Sequence, residues 1–332
     1  MGFVNVDAEC YEVDSKKQRE YQEDWLETGY APLKMEVNGP CIFYRDGIYH
    51  SYLIVGTPGV GCCAPGNQII LGHATTTDFS RWETHEPALY VDPNGWDYGH
   101  LWNPYIVERD GRFWMLYTGA PLDNTQRIGI AVSDDLYGWK RLFNEPVIRP
   151  EEYGWAHCPR ESGAACRDPY VVLHEDEYWM YYTATMKEGN GCVARAVSRD
   201  LLHWVDAGPF FARETFIKCE DPVVIQTDGH IHLIFNSWLD PLNRKGSYGL
   251  WSVACENLHS CETREPKQVA SGEGCFAVDL INRKNQNWLI SYVKPTERGM
   301  RMFIGALDVS AETMVLKQIS HPDQVAPFLS EG

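Results

Sequence analysis

Carboxylates stand at matching places in two stretches of this 332-residue chain, Arg167-Asp168-Pro169 and Glu220-Asp221-Pro222. Acids gathered at one site suit cleavage of a glycosidic bond. One is kept protonated to donate to the leaving oxygen, and others stay ionised to favour an oxocarbenium-like transition state. Glu220 and Asp168 are therefore the candidate catalytic residues. Two further stretches share the place before a proline, Asn38-Gly39-Pro40 and Trp102-Asn103-Pro104. Trp102 offers a stacking face and Asn103 an amide to sugar hydroxyls. Asn38, Arg167 and Asp221 join them as candidate substrate-binding residues, with His100 and His157 from the loops just ahead of two of these stretches.

The elements that must position these residues are repeated. After each proline comes a β-branched and aromatic run, then an acidic turn, then a second run of strand composition, which is hairpin grammar. The turn acid stands six positions past the proline each time: Asp46 after Pro40, Asp110 after Pro104, Glu175 after Pro169 and Asp228 after Pro222. A second signal closes each unit with a third strand, a turn held by Ser and Asp side chains, and a tryptophan able to pack over a neighbour. It runs through Asp78 to Trp82, Asp135 to Trp139 and Asp200 to Trp204, with a worn form from Asn257 to Cys261. A fifth, weaker unit has Cys275 to Ile281 and Asn287 to Val293 as its hairpin and Met302 to Asp308 as its third strand.

Units of about four strands at spacings longer than the ~40–50 residues of common propeller repeats predict an all-β, five-bladed β-propeller. Residues 1–34 form an extension with a short helical segment. Ser15 is placed to cap that helix and Gly29 to stop it. Residues 35–332 form the propeller, in which the first strand of each blade lines the channel. The residues before Pro40, Pro104, Pro169 and Pro222 should then converge at one end, with Glu220 facing Asp168 and holding its proton more tightly for that proximity.

The chain resembles the five-bladed propeller glycosidases of glycoside hydrolase families 43 and 32, the arabinanases, β-xylosidases and invertases. Arg167-Asp168-Pro169 is similar to the Arg-Asp-Pro motif of the invertase side. Glu220-Asp221-Pro222 stands where that side has Glu-Cys-Pro and family 43 has Glu-Gly-Pro. The resemblance, from about residue 35 to 318, implies Glu220 as general acid and Asp168 as the carboxylate that stabilises the transition state. Both families also place an Asp immediately before the blade-one proline, and here that place is Gly39. Asp92-Pro93-Asn94-Gly95 looks like the missing motif but lacks the hairpin that should follow, so it reads as a turn. A loop acid such as Asp97 or Glu161, or inorganic phosphate as in related phosphorylases, could replace the missing group. The expected function is hydrolysis of a small oligosaccharide or glycoside of furanoside or pentose/fructose type. The alternatives are a sugar-binding propeller without turnover and a phosphorylase.

Composition bounds the partners. A formal charge of −17 argues against nucleic acid and anionic lipid, which need clustered Lys and Arg, and is compatible with a neutral carbohydrate. No membrane span is visible and no cofactor is implied. The eleven cysteines lack CxxC spacing, so metal ligation is not expected and those along strands read as small core residues. Their odd number, with a start that lacks a basic and apolar leader, predicts a cytoplasmic protein with reduced thiols.

Overall fold

The computed structural model describes residues 25–157, 165–227, 229–240, 245–261, 264–285, 287–310 and 313–329. It is nearly all β. Strands β1 (Glu36–Arg45), β2 (Ile48–Gly56), β3 (Ile70–Thr76) and β4 (Glu83–Tyr90) form one four-stranded sheet in sequence order. A second holds β5 (His100–Arg109), β6 (Arg112–Ala120), β7 (Arg127–Ser133) and β8 (Lys140–Arg141), and a third β9 (Cys166–His174), β10 (Glu177–Thr185), β11 (Gly191–Ser198) and β12 (Val205–Ala212). The remaining strands are β13 (Glu220–Thr227), β14 (His230–Asp240), β15 (Lys245–Cys255), β16 (Lys267–Glu273), β17 (Phe276–Lys284), β18 (Asn287–Thr296), β19 (Gly299–Val309) and β20 (Met314–Gln318). They form two antiparallel four-stranded halves, β13 to β16 and β17 to β20, that meet through a single parallel bridge between Ala270 and Val315. Such sheets are propeller blades, and their first strands close a ring: β1 touches β5 and β17, β5 touches β9, β9 touches β13, and β13 touches β17.

Each first strand carries the same irregularity. Where β1 meets β2, Asn38 faces Ile54 and Cys41 faces Tyr52, so Gly39 and Pro40 together oppose one residue. The pattern repeats at Asn103-Pro104, Asp168-Pro169, Asp221-Pro222 and Ala277-Val278. The first member of every pair has positive φ: Gly39 48°, Asn103 26°, Asp168 58°, Asp221 51° and Ala277 51°. A bulge of this kind breaks the alternation of a strand and lets two consecutive side chains reach one side. Proline fits beside it because a bulge leaves a residue outside the hydrogen-bond ladder.

The blade-closing turns follow the expected chemistry. Ser133 Oγ accepts Leu136 N–H at 2.9 Å, and Asp135 Oδ1 accepts Tyr137 and Gly138 N–H, both at 2.8 Å. Ser198 and Asp200 repeat this for Leu201, Leu202 and His203. The indoles of Trp139 and Trp204 donate to Leu136 and Leu201 carbonyls three residues back, while Trp82 packs on Phe79 at the same offset. Trp139 also meets Tyr52 of the preceding sheet edge to face, with ring centroids 5.5 Å apart. In the worn copy Asn257 holds the turn, and Cys261 at the tryptophan's place is disulfide-bonded to Cys255. The expectation that the thiols are all reduced is thus corrected at this pair, because the tight turn folds the end of β15 against Cys261. Cys41, Cys166, Cys192, Cys219 and Cys275 are buried among core side chains, as small apolar residues should be.

Helix α1 (Trp25–Thr28) ends at Gly29, whose φ of 74° supplies the left-handed stop expected there; the start expected at Ser15 lies outside the described residues. A second helix, α2 (Pro322–Leu329), was not expected from the sequence. It buries Val325, and Asn282 of β17 donates to its Phe328 carbonyl at 2.7 Å. No helix among the described residues is long and apolar enough to cross a membrane, and they hold no group of three or more metal-ligating side chains.

Candidate active site

The bulges aim their side chains into one cleft of about 280 Å³. Trp102 and Asn103, Arg167 and Asp168, and Glu220 and Asp221 all reach it as consecutive pairs, with Asn38 beside them. Seven of the sequence-based candidates therefore meet Glu220 and Asp168 in one place or are those residues. Two do not. His100 is fully buried behind Trp102, stacked on it at 5.2 Å, and its Nδ1 donates to the Asn67 carbonyl at 2.9 Å. His157 is absent from the lining and uses its backbone N–H on the Thr185 carbonyl at 2.9 Å. His100 shares the Trp102 side of β5, two residues back, and supports the indole from beneath, so the Trp102 ring covers it.

Asp168 forms the floor. Its Oδ2 accepts from Thr183 Oγ1 at 2.8 Å and from the Asp221 N–H at 3.2 Å, and lies 3.3 Å from Arg167 Nε. Arg167, 8% exposed, spans the acids: Nη2 bonds Glu220 Oε1, and Nη1 donates to Gln126 Oε1 at 2.8 Å. Lys218 Nζ is 3.4 Å from the same Glu220 oxygen. Among the described residues no cation pairs with Asp221 directly; Arg167 acts on it from a distance, and its carboxyl accepts Asn103 Nδ2 at 2.6 Å. Burial, then the charges of Asp168 and Glu220, pushes the Asp221 carboxyl well above the usual range. Burial raises Asp168 too, against the pull of Arg167.

Gln68, Gln126 and Lys218 belong to the site and were missed from sequence. Gln68 and Gln126 lie just before β3 and β7, and they serve the neighbouring blade: Gln68 Oε1 takes the Trp102 indole N–H at 2.6 Å. Only Lys218 had a signal, its place two residues before Glu220. The loop acid Asp97, considered as a replacement for the missing blade-one acid, is fully buried and held by Tyr117 OH at 2.9 Å and Arg141 Nε at 2.8 Å, away from the cleft lining. Glu161 lies outside the described residues. Asp92 is a turn residue, as read, with Oδ1 accepting Asn94 N–H at 2.9 Å.

The glycine at position 39 has a local cause. A Cβ there would stand 2.6 Å from Asn103 Oδ1 and 2.9 Å from Ile54 Cδ1. Asn103 fills that space while holding Asp221. Gly39→Asp should therefore destabilise the protein by about 1–3 kcal/mol through overpacking, and adding Asn103→Gly should recover only the part due to the clash, since it also removes the Asn103–Asp221 hydrogen bond. Thermal melts of the single and double variants test this, and an unchanged midpoint for Gly39→Asp alone would refute it.

Residues 31–312 match the family model for the glycosyl hydrolases family 32 N-terminal domain. The chain is 30% identical over 178 residues to the β-fructofuranosidase insoluble isoenzyme CWINV4 of Arabidopsis thaliana, covering 51% of this chain and 28% of that protein. It is 27% identical to fructan 1-exohydrolase w3 of Triticum aestivum over 53% of this chain and 29% of that one. The chain thus spans under a third of the length of these curated relatives. Among solved structures, the Bombyx mori family 32 β-fructofuranosidase BmSUC1 superposes with a TM-score of 0.71 at 16% identity, covering 87% of this chain and 64% of that one. An endo-arabinase from Bacteroides thetaiotaomicron gives 0.66 at 15% identity over 86% and 99%. With the family match extending over most of the propeller and both motif acids inside it, the chain belongs to glycosyl hydrolase family 32.

Proposed function

We propose that this chain is a five-bladed β-propeller glycosidase that cleaves fructofuranosides, with residues 35–332 as its catalytic domain. The observation that carries the reading is the convergence of Asp168, Glu220 and Asp221 on one small cleft beside Arg167 and Trp102. The closure of the first strands through β1, β5, β9, β13 and β17, each with one bulge, supports five blades. The curated relatives named above support a fructoside over an arabinan.

In this reading Trp102 packs on a sugar face and the amides take hydroxyls. Asp168, fixed by Thr183 and the Asp221 N–H, sits ionised under the developing oxocarbenium charge. Glu220, in the position the family motif gives to the acid, donates a proton to the leaving oxygen once a sugar loosens its contact with Arg167. A specific observation favours a second assignment of the proton. Glu220 is in direct contact with two cations, whereas Asp221 touches only an amide and feels two neighbouring acids more strongly than the more distant Arg167, so Asp221 can be the donor and Glu220 the ionised partner.

Assay on sucrose, a fructan oligomer, an activated aryl fructofuranoside and an arabinan oligomer, each with and without inorganic phosphate, tests the function. Turnover of the fructosides without phosphate is expected. Strict phosphate dependence would make the protein a phosphorylase, and specific sugar binding without turnover on the whole set would remove the enzyme reading.

A further inference from the structure

One wall of the cleft is made of sulfur. Cys62 and Cys63 line it together with Arg167, Lys218 and Glu220, and their Sγ atoms are 3.5 Å apart. Among the described residues every other free cysteine is buried, and these two are exposed. Asn124 Nδ2 donates to Cys63 Sγ at 3.4 Å. The loop that carries them is pinned from beneath by the buried Asn67. Its Oδ1 accepts Thr57 N–H at 2.9 Å, and its Nδ2 donates to the Val60 and Gly61 carbonyls at 3.2 and 3.1 Å. The thiols are thus held at the cleft by a scaffold of their own.

We propose that Cys62 and Cys63 form a dithiol modification site that hydroperoxides oxidise to a disulfide between the two adjacent residues in the cleft wall. The two sulfurs are set up differently. The two thiols share one hydrogen bond; with Cys63 as its donor, this contact, then the positive charges of Lys218 and Arg167, pulls the Cys62 thiol down to about 6 against its partial burial. Cys63 is pushed up in return and keeps its proton. At neutral pH the pair is a thiolate with a resolving thiol beside it.

The Cys62 thiolate attacks one peroxide oxygen, an S–O bond forms, the O–O bond breaks, and the departing hydroxide becomes water with the proton that Cys62 gave to the buffer on ionising. The Cys63 sulfur then attacks the Cys62 sulfur, the S–S bond forms as the S–O bond breaks, and the Cys63 proton passes to the departing oxygen, which leaves as water. Two thiols are oxidised by two electrons and one hydrogen peroxide is reduced to two waters. Closure draws the sulfurs from 3.5 Å to about 2.05 Å.

The folded full chain treated with hydrogen peroxide and then digested provides the test. The peptide holding Cys62 and Cys63 should lose two hydrogens, reversibly with a thiol reductant. Cys63→Ala should stop at a sulfenic acid that dimedone traps, and Cys62→Ala should resist oxidation there. At pH 6 iodoacetamide should alkylate Cys62 about tenfold faster than a free cysteine thiol, since its larger thiolate fraction outweighs its lower intrinsic nucleophilicity. No mass change at this peptide in a protein that stays folded by circular dichroism, or alkylation no faster than free cysteine, would overturn the proposal. None of these measurements depends on glycosidase turnover.

Discussion

Glu220→Gln should lower turnover of sucrose by about 10²–10⁴-fold, the range general acid assistance supplies, while an activated aryl fructofuranoside should lose far less. The contrast arises because a good leaving group departs without a proton and a sugar alkoxide does not. Asp221→Asn provides the comparison, since Asp221 lies next to Glu220 on β13 and both reach the cleft through the bulge. Whichever variant shows the steep dependence on leaving group identifies the donor. If it is Asp221→Asn, then Glu220→Gln should be impaired on all substrates alike, and the assignment of the acid to Glu220 fails. A flat profile for both variants would remove proton donation from this pair altogether. Substrate binding serves as the internal control, because neither amide changes the size of the side chain.

Arg167→Met should be the most damaging change to stability. Arg167 is buried between Asp168 and Glu220, and methionine keeps the apolar length but leaves the acids uncompensated. Removing one partner of a buried ion pair costs about 3–5 kcal/mol. The loss should depend on pH in a defined direction. Asp168 and Asp221 already have folded-state proton affinities raised above the unfolded value, and the variant raises them further. Below the unfolded range of about 4, both states are protonated and the penalty vanishes. As pH rises through the folded values, the folded state binds more protons than the unfolded one and stability falls. Urea unfolding of variant and wild type at pH 7.5 and pH 5 should show a smaller difference at pH 5. The wild type is needed at both values because Asp279, pushed by burial to about 7, lowers its stability over the same interval. A difference that is equal at the two values would mean that the acids are not what Arg167 compensates.

The blade grammar was legible because local chemistry writes it. Pro169, Glu175 and Trp204 each do a job within a few residues of themselves, at a bulge, a hairpin turn and a strand end. The paired presentation of Asp168 and Glu220 was legible for the same reason, since the bulge before each proline is a local event. What escaped depends on the ring. Gln68 and Gln126 hold Trp102 and Arg167 of the next blade, and no periodicity connects residues 34 and 41 apart in sequence. Asp97 looked like a free loop acid, yet Arg141 lies 44 residues away and claims it. His100 reads as a cleft residue from its place just ahead of the second unit, yet it shares a face of β5 with Trp102 and the larger ring covers it, a depth that sequence spacing does not reveal. The disulfide had a faint signal, a cysteine at the tryptophan's place in the worn blade ending.

The ring of five bulges also fixes a direction in the cleft. Its places read Gly39, Asn103, Asp168, Asp221 and Ala277 around the channel, so carboxylates occupy two neighbouring places and uncharged groups the other three. The charged groups of the cleft, acids and the cations Arg167 and Lys218 alike, are therefore gathered toward β9 and β13. In the proposed reaction, a sugar entering along the channel axis has a charged half and an uncharged half before it, and the carbon that develops positive charge is placed toward the first. For the proposed reaction, the order of side chains around the ring thus sets which way the sugar faces, while the five bulges share one backbone form.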